Sequence, residues 1–132
     1  MSQLRTELAS HTLGPARKCA DGWHQSFCLP ESFAGFEGHF PDNPVVPAVV
    51  QLLMGLQLAE AAAGKALAIV QVVKAKFLQP LRPLETIEVC CVQEQEDGLC
   101  CKVEISSASG MASQFRLILS ASAEHRQGKG GE

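Results

Sequence analysis

A single histidine in a stiff loop is the residue of this chain best suited to chemistry. His39 lies between Gly38 and Phe40, and three prolines follow at three-residue spacing, the last of them Pro47. Proline fixes φ, so this spacing predicts a loop that holds the histidine in one place. Histidine titrates near neutral pH and often serves as a general base. The residues alone leave two interpretations open: His39 is a general base, or it is a loop histidine bonded to a backbone carbonyl.

An almost wholly apolar run follows this loop, from Ala48 to Ala63, and Gly64 comes next. Proline suits the first helical position and glycine suits the residue just past the end, so we predict a helix that begins at Pro47. A helix that is apolar on nearly all sides is buried on nearly all sides. This one is too short to span a membrane. Its burial requires a sheet wrapped around it or a partner subunit.

The start of this helix is predicted to expose backbone donors. Val46 occupies the cap position and offers no side-chain acceptor. The N–H groups of Ala48, Val49 and Val50 are therefore expected to lack a local partner. Free N–H groups and the positive end of the helix dipole attract an oxygen with partial negative charge. That oxygen is either a polarised carbonyl or an ordered water.

Length, composition and net charge limit the classes of protein to which this chain can belong. The chain has 132 residues, 46% of them apolar, which predicts one domain with its own core. We assign residues 1–123 to this domain and residues 124–132 to a disordered tail. The net charge of −3 gives no basic footprint for nucleic acid. The first residues show no apolar signal core, so we expect a cytoplasmic protein.

Six cysteines include the doublets Cys90-Cys91 and Cys100-Cys101. Neighbours on a strand point to opposite faces, so each doublet should place one thiol inside and one outside. Neither doublet has the two-residue gap of a zinc knuckle, and no histidine lies nearby in sequence. We expect reduced thiols used as small apolar residues, with a metal site or a disulfide as the alternative, and we predict no metal.

The remaining segments predict one short helix over residues 2–10 and five strands. The strands are expected at residues 22–29, 67–78, 86–95, 99–107 and 112–123. In the second of them, alternation places Lys74 and Lys76 on one face. A strand, a loop, a helix and four further strands joined by tight turns predict an α+β fold, with an antiparallel sheet wrapped around one long helix. The open side of the helix and the sheet edges favour a dimer.

Two segments resemble the FabZ/FabA 3-hydroxyacyl-acyl carrier protein dehydratases. They are Gly38-His39-Phe40-Pro41-x-x-Pro44-x-x-Pro47-x-Val49 and the run from Lys76 to Ile87. The run from Pro47 to Leu52 is most similar to FabZ-like dehydratases of aryl-polyene-type pathways. With the strand order, the resemblance covers residues 22 to 122.

This resemblance implies a hot-dog fold that works as a homodimer or a multiple of dimers. It implies a thioester substrate on the phosphopantetheine arm of acyl carrier protein, and no separate cofactor. The family uses a histidine base together with an Asp or Glu from the helix of the other subunit. By this resemblance, His39 is the base.

The sequence departs from the family within the helix. Leu53 lies fourteen positions after His39, where the family has its acidic residue, and leucine cannot transfer a proton. Ala48 stands where the family has glycine after its third proline. A single histidine could carry the proton alone. The other groups that could replace the carboxylate are Gln57, Glu60, Asp42 and Glu37.

Our main hypothesis is a 3-hydroxyacyl-thioester dehydratase of fatty-acid or polyketide-like synthesis, a hydro-lyase, with acyl carrier protein or coenzyme A as the carrier. The predicted substrate-binding residues are Gly38, Phe40, Ala48, Val49, Leu53 and Gln57. The candidates to line an acyl tunnel are Val45, Val46, Leu52, Leu53 and Met54. Two alternatives stay open: a catalytically silent hot-dog subunit that binds acyl chains or an active partner, and a hot-dog thioesterase.

Overall fold

The fold is a six-stranded antiparallel sheet packed against one long helix, seen in a computed structural model that describes residues 2–36 and 44–122. The order across the sheet is β1-β2-β4-β5-β6-β3. This arrangement confirms the predicted α+β architecture. The elements in chain order are helix α1 (Ser2–Ala9), strands β1 (Arg17–Cys19) and β2 (Gly22–Cys28), a 3₁₀ turn (Ala34–Phe36), helix α2 (Ala48–Ala63), and strands β3 (Leu67–Phe77), β4 (Thr86–Gln93), β5 (Cys100–Ser107) and β6 (Gly110–Ala121).

Helix α2 is the centre of the core. Its buried side chains, among them Met54 and Leu58, lie against the inner face of the sheet. Gly55 lets the helix approach closely, because a Cβ there would lie 3.1 Å from side-chain atoms of both Phe115 and Val103. The alternating inward residues of the strands complete this core.

The end of α2 was predicted correctly, but its beginning was not. Gly64 adopts a left-handed conformation, φ 72°, and its N–H donates to the Glu60 carbonyl at 2.8 Å. Pro47 has an extended ψ of 156°, so it is the cap residue and the helix begins at Ala48. The Pro47 carbonyl accepts from Val50 N–H at 3.1 Å, so the expectation that Val50 N–H lacks a partner was wrong. Proline fixes φ alone and leaves ψ to its surroundings.

Two features of the sheet differ from the prediction. Strand β1 was not predicted, because its three residues are exposed and carry no apolar alternation. In β3, a bulge falls between Val73 and Lys76, and Lys74 has a φ of 55°. The extra residue shifts the alternation by one, so simple alternation does not relate Lys74 to Lys76 as we expected, although both side chains line one pocket.

The cysteine doublets follow the predicted alternation. Cys91 and Cys101 are buried, Cys90 and Cys100 are half-buried, and all six cysteines are free thiols. A hydrogen bond to Cys101 and burial together raise the pKa of Cys91. This buried thiol therefore stays protonated and packs as a small apolar group.

Two further expectations concern a membrane span and the C-terminal tail. Among the described residues, 2–36 and 44–122, no helix is long and apolar enough to cross a membrane. The predicted tail at 124–132 lies outside the described residues, so its disorder stays a prediction.

Replacing Gly55 by leucine should destabilise the protein. The added side chain would have to displace Phe115 and Val103, and overpacking of this kind costs about 1–3 kcal/mol. Chemical denaturation would measure the loss in free energy of unfolding. Ala61→Leu is the matched control, because Ala61 is exposed on the same helix and its replacement should change stability by roughly 0.5 kcal/mol or less. Equal midpoints for the two variants would contradict this account of the packing.

Candidate functional site

The backbone of Val46 fixes the segment that leads into α2. Its N–H donates to the Leu81 carbonyl at 2.7 Å, and its own carbonyl accepts from Gln51 Nε2 at 3.2 Å. Val46 is also buried, with 4% of its surface exposed. Hydrogen bonds to both backbone groups of one residue hold the chain in a single orientation immediately before the helix.

A buried polar pair fastens the first turn of α2 to the sheet. Ser113 Oγ donates to Gln51 Oε1 at 2.6 Å, and Ser113 lies on β6. Both residues are buried, and within the described chain every fully buried side-chain polar atom has a hydrogen-bond partner. Such a satisfied pair specifies one position of the helix relative to the sheet.

The start of α2 presents two unpaired backbone donors. No side chain caps the helix, and among residues 2–36 and 44–122 no acceptor lies within hydrogen-bond reach of Ala48 or Val49 N–H. A pocket of about 300 Å³ opens beside them, lined by Ala48 together with Phe77 and Leu78 of the opposite wall. The first turn can therefore donate hydrogen bonds to a carbonyl oxygen or to a water in this pocket.

A larger cavity of about 740 Å³ lies further along α2. Leu53, Leu56 and Gln57 form its wall on the helix, and Leu67 and Ile69 form part of its wall on β3. Leu53 and Gln57 are one turn apart and so point the same way. The cavity is mainly apolar along its walls and has the size of a small-molecule site.

Glu60 also lines this cavity, but its carboxylate is already occupied. It forms an ion pair with Arg5 of α1 and accepts a hydrogen bond from Leu67 N–H at 3.0 Å. Glu60 is therefore the paired carboxylate that ties α1 and β3 to α2. Gln57 makes no hydrogen bond with the described part of the chain, but its amide cannot serve as an acid at ordinary pH.

The predicted site residues fall into three groups. Gly38, His39 and Phe40 lie outside the described residues, as do Glu37 and Asp42. Ala48 lines the pocket at the helix start, and Val49 beside it is 43% exposed. Leu53 and Gln57 line the larger cavity, and they lie five and nine residues after Ala48 along the helix.

The five tunnel candidates do not line one cavity. Val45 and Val46 line the smaller pocket, and Leu53 lines the larger one. Met54 is wholly buried in the core. A helical pattern indicates which residues are apolar, but not which of its apolar faces meets the sheet and which meets a cavity.

Gln51, which positions the first turn of α2, is a residue that the sequence analysis did not single out. A lone amide on such a helix is a signal of buried hydrogen bonding, because an unpaired one would be costly there.

The strand order and the central helix define the hot-dog class of fold, and solved structures of that class agree. The dehydratase heterocomplex ApeI:P from Xenorhabdus doucetiae has a TM-score of 0.71 at 21% identity, over 82% of this chain and 95% of that one. An uncharacterized protein from Erwinia carotovora subsp. atroseptica has a TM-score of 0.68 at 19% identity, over 84% and 95%. The E. coli PaaI protein from the phenylacetic acid degradation operon has a TM-score of 0.61 at 12% identity, over 90% of each chain.

At these identities the structural likeness shows the fold alone. A sequence model of the ApeI-like family, described as ApeI dehydratase, matches residues 16–116 of this chain. The chain therefore belongs to the ApeI-like dehydratase family. No curated protein matches the chain significantly.

Replacing Gln51 by leucine should destabilise the start of α2. Leucine removes the acceptor for Ser113 Oγ and leaves that buried hydroxyl unpaired, which costs about 1–3 kcal/mol. The free energy of unfolding would measure this loss. Gln51→Leu combined with Ser113→Ala should recover part of it, because both partners are then apolar. Strict additivity of the two single variants would contradict a coupled pair.

Proposed function

We propose that this chain is a dehydratase of 3-hydroxyacyl thioesters, acting on an acyl group carried by phosphopantetheine, with acyl carrier protein as the expected carrier. The observation that carries the proposal is the family match, which spans residues 16–116 and so includes both His39 and α2. A cytoplasmic location remains part of the same prediction.

The reaction removes a proton from C2 and expels the hydroxyl from C3. The C2 proton becomes acidic only when the thioester carbonyl is polarised. The N–H groups of Ala48 and Val49 are suited to that task, because they have no partner among residues 2–36 and 44–122 and lie at the positive end of the α2 dipole. Pre-oriented donors of this kind stabilise the developing enolate oxygen.

His39 is the proposed base. The residues that flank its segment are anchored: Phe36 is 6% exposed, and Val46 is held by hydrogen bonds on both sides. Histidine suits the role because its ordinary pKa lies near neutral.

The leaving hydroxyl requires a proton, and the part of α2 that lines the larger cavity offers no unpaired carboxylate within the described residues. Leu53 holds the position of the family carboxylate and is 5% exposed. Glu60, deeper in the same cavity, is engaged by Arg5. A general acid contributes about 10²–10⁴-fold to rate, so its absence would leave a slow enzyme.

The Leu53 position favours a second candidate function, that of one subunit in a mixed assembly. The ApeI:P structure from Xenorhabdus doucetiae is a dehydratase heterocomplex. By analogy, another hot-dog chain would supply the carboxylate that this one lacks, in place of the predicted homodimer. The outermost strand β3 is a suitable contact, because its free edge carries the exposed side chains of Val70 and Phe77.

Turnover of 3-hydroxyacyl thioesters by the purified chain and by Leu53→Glu tests this proposal. We expect the native chain alone to be slow and Leu53→Glu to be faster by about 10²–10⁴-fold, because the carboxylate restores a general acid. Appearance of the enoyl thioester would be followed by ultraviolet absorbance, with several acyl chain lengths.

Leu53→Gln is the matched control, because glutamine has the same shape and cannot donate the proton. It should remain as slow as the native chain. His39→Ala in the Leu53→Glu background should abolish the gain, whereas His11→Ala should not. A folded Leu53→Glu variant no faster than Leu53→Gln would count against the dehydratase proposal.

A further inference from the structure

A cluster of metal-binding side-chain types lies on the face of the sheet opposite α2. Cys91 points into the core, so its neighbour Cys90 points outward. Strands β2 and β4 pair so that His24 lies opposite Cys90, and Asp21 lies in the turn between β1 and β2. One ligand atom from each of Asp21, His24 and Cys90 lies within 4.8 Å of the other two.

His24 is held in the orientation of a metal ligand. Its Nδ1 lies 3.1 Å from Glu88 Oε2, and its Nε2 lies 2.8 Å from Asp21 Oδ1. A hydrogen bond from Nδ1–H to Glu88 leaves the lone pair on Nε2, on the side of Asp21. A carboxylate behind a histidine is the arrangement that most protein metal sites use to fix the ring.

Glu88 is fixed in turn by groups that are not part of the cluster. It accepts hydrogen bonds from Ser26 Oγ and from the Arg17 guanidinium, the latter at 3.2 Å. The side chain of His24 is 18% exposed and that of Asp21 is 73% exposed. The hydrogen bonds that orient His24 are therefore already formed and partly buried, while the side of the ring that faces Asp21 is open for an ion to enter.

We propose that Asp21, His24 and Cys90 bind a thiophilic divalent metal ion, with Zn²⁺ as the best match. Imidazole nitrogen, thiolate and carboxylate are the donors that zinc takes in proteins, whereas Mg²⁺ and Ca²⁺ prefer oxygen alone. This proposal departs from the sequence-based expectation of no metal. It does not rest on the dehydratase proposal, since the cluster and α2 lie on opposite faces of the sheet.

Cys19 is a candidate for a fourth ligand. It is exposed on β1, which pairs with β2 beside His24. Either its thiolate or a water would complete a tetrahedral set. A bound ion would join the hairpin of β1 and β2 to β4, and so fasten the edge of the sheet at its shortest strand.

The same side chains also form an ion-pair network without a metal. The hydrogen bond with Asp21 raises the pKa of His24, burial opposes this, and the bond with Glu88 adds to the increase. Two carboxylates around one imidazole favour a positive charge at the ring. A proton and a metal ion therefore compete for Nε2, and the experiment must distinguish them.

Titration of reduced, chelator-stripped, tag-free protein with Co²⁺ distinguishes a metal site from an ion-pair network that binds no metal. Binding through Cys90 should produce a thiolate-to-Co²⁺ charge-transfer band, and Zn²⁺ should displace the Co²⁺ and remove it. Cys90→Ser should abolish the band. Glu88→Gln should keep the band but weaken Co²⁺ binding by about 10–100-fold, because it alters only the support of the histidine.

Cys100→Ser is the matched control, because Cys100 is also a half-buried outward thiol and lies 3.7 Å from a carboxylate oxygen of Glu94. It should bind Co²⁺ as the native protein does. Asp21→Asn, at an exposed turn where folding is not at risk, should weaken binding at least ten-fold. The proposal is overturned if the native protein shows no charge-transfer band, or if Cys90→Ser and Cys100→Ser bind Co²⁺ alike.

Discussion

Burial of one almost wholly apolar helix against a single sheet is the constraint on which the rest of the structure depends. The close approach at Gly55 sets how deep α2 sits, and the pair of Gln51 and Ser113 sets where its first turn lies. Once that turn is placed, the N–H groups of Ala48 and Val49 at its start, which have no partner in the described part of the chain, have a fixed direction. The chemistry available at the site is thus a consequence of how the core is packed.

The helix separates two kinds of surface. Its first turn offers hydrogen-bond donors beside a small pocket, and its middle offers an apolar wall to a larger cavity. Leu53 belongs to the second surface, where it adds to an apolar lining. Within residues 2–36 and 44–122, the helix therefore offers backbone donors and an apolar wall, and the carboxylate of Glu60 that lines the larger cavity is paired with Arg5.

The sequence was sufficient for those features that depend on local pattern. Alternation located the main strands, and the sidedness of the cysteine doublets followed from it. Helical spacing correctly placed Leu53 and Gln57 on one face, because residues four apart are neighbours. Features set by pairing were missed: the bulge beside Lys74 exists only relative to β6, and β1 is too short to show a pattern.

The sequence also could not predict which distant residues pair with the residues of the candidate sites. Glu60 was named as a possible replacement for the family carboxylate, but it is paired with Arg5, which lies 55 residues away. The statement that no histidine lies near the cysteine doublets holds along the chain and fails across the sheet, where His24 faces Cys90. Register between strands is decided by turns and core packing together, so it could not be read from either segment alone.

The bulge in β3 has a consequence for how copies of this protein meet in solution. A free strand edge invites open-ended stacking, which ends in fibres or amorphous precipitate. Here the edge changes direction at Lys74, and the charged side chain of Lys76 follows beyond it. A second strand would find only short regular stretches of this edge, because another register shift falls between Ile69 and Gln71. Association along this edge is thus limited to a short ladder, which favours a closed pair of chains over a growing polymer.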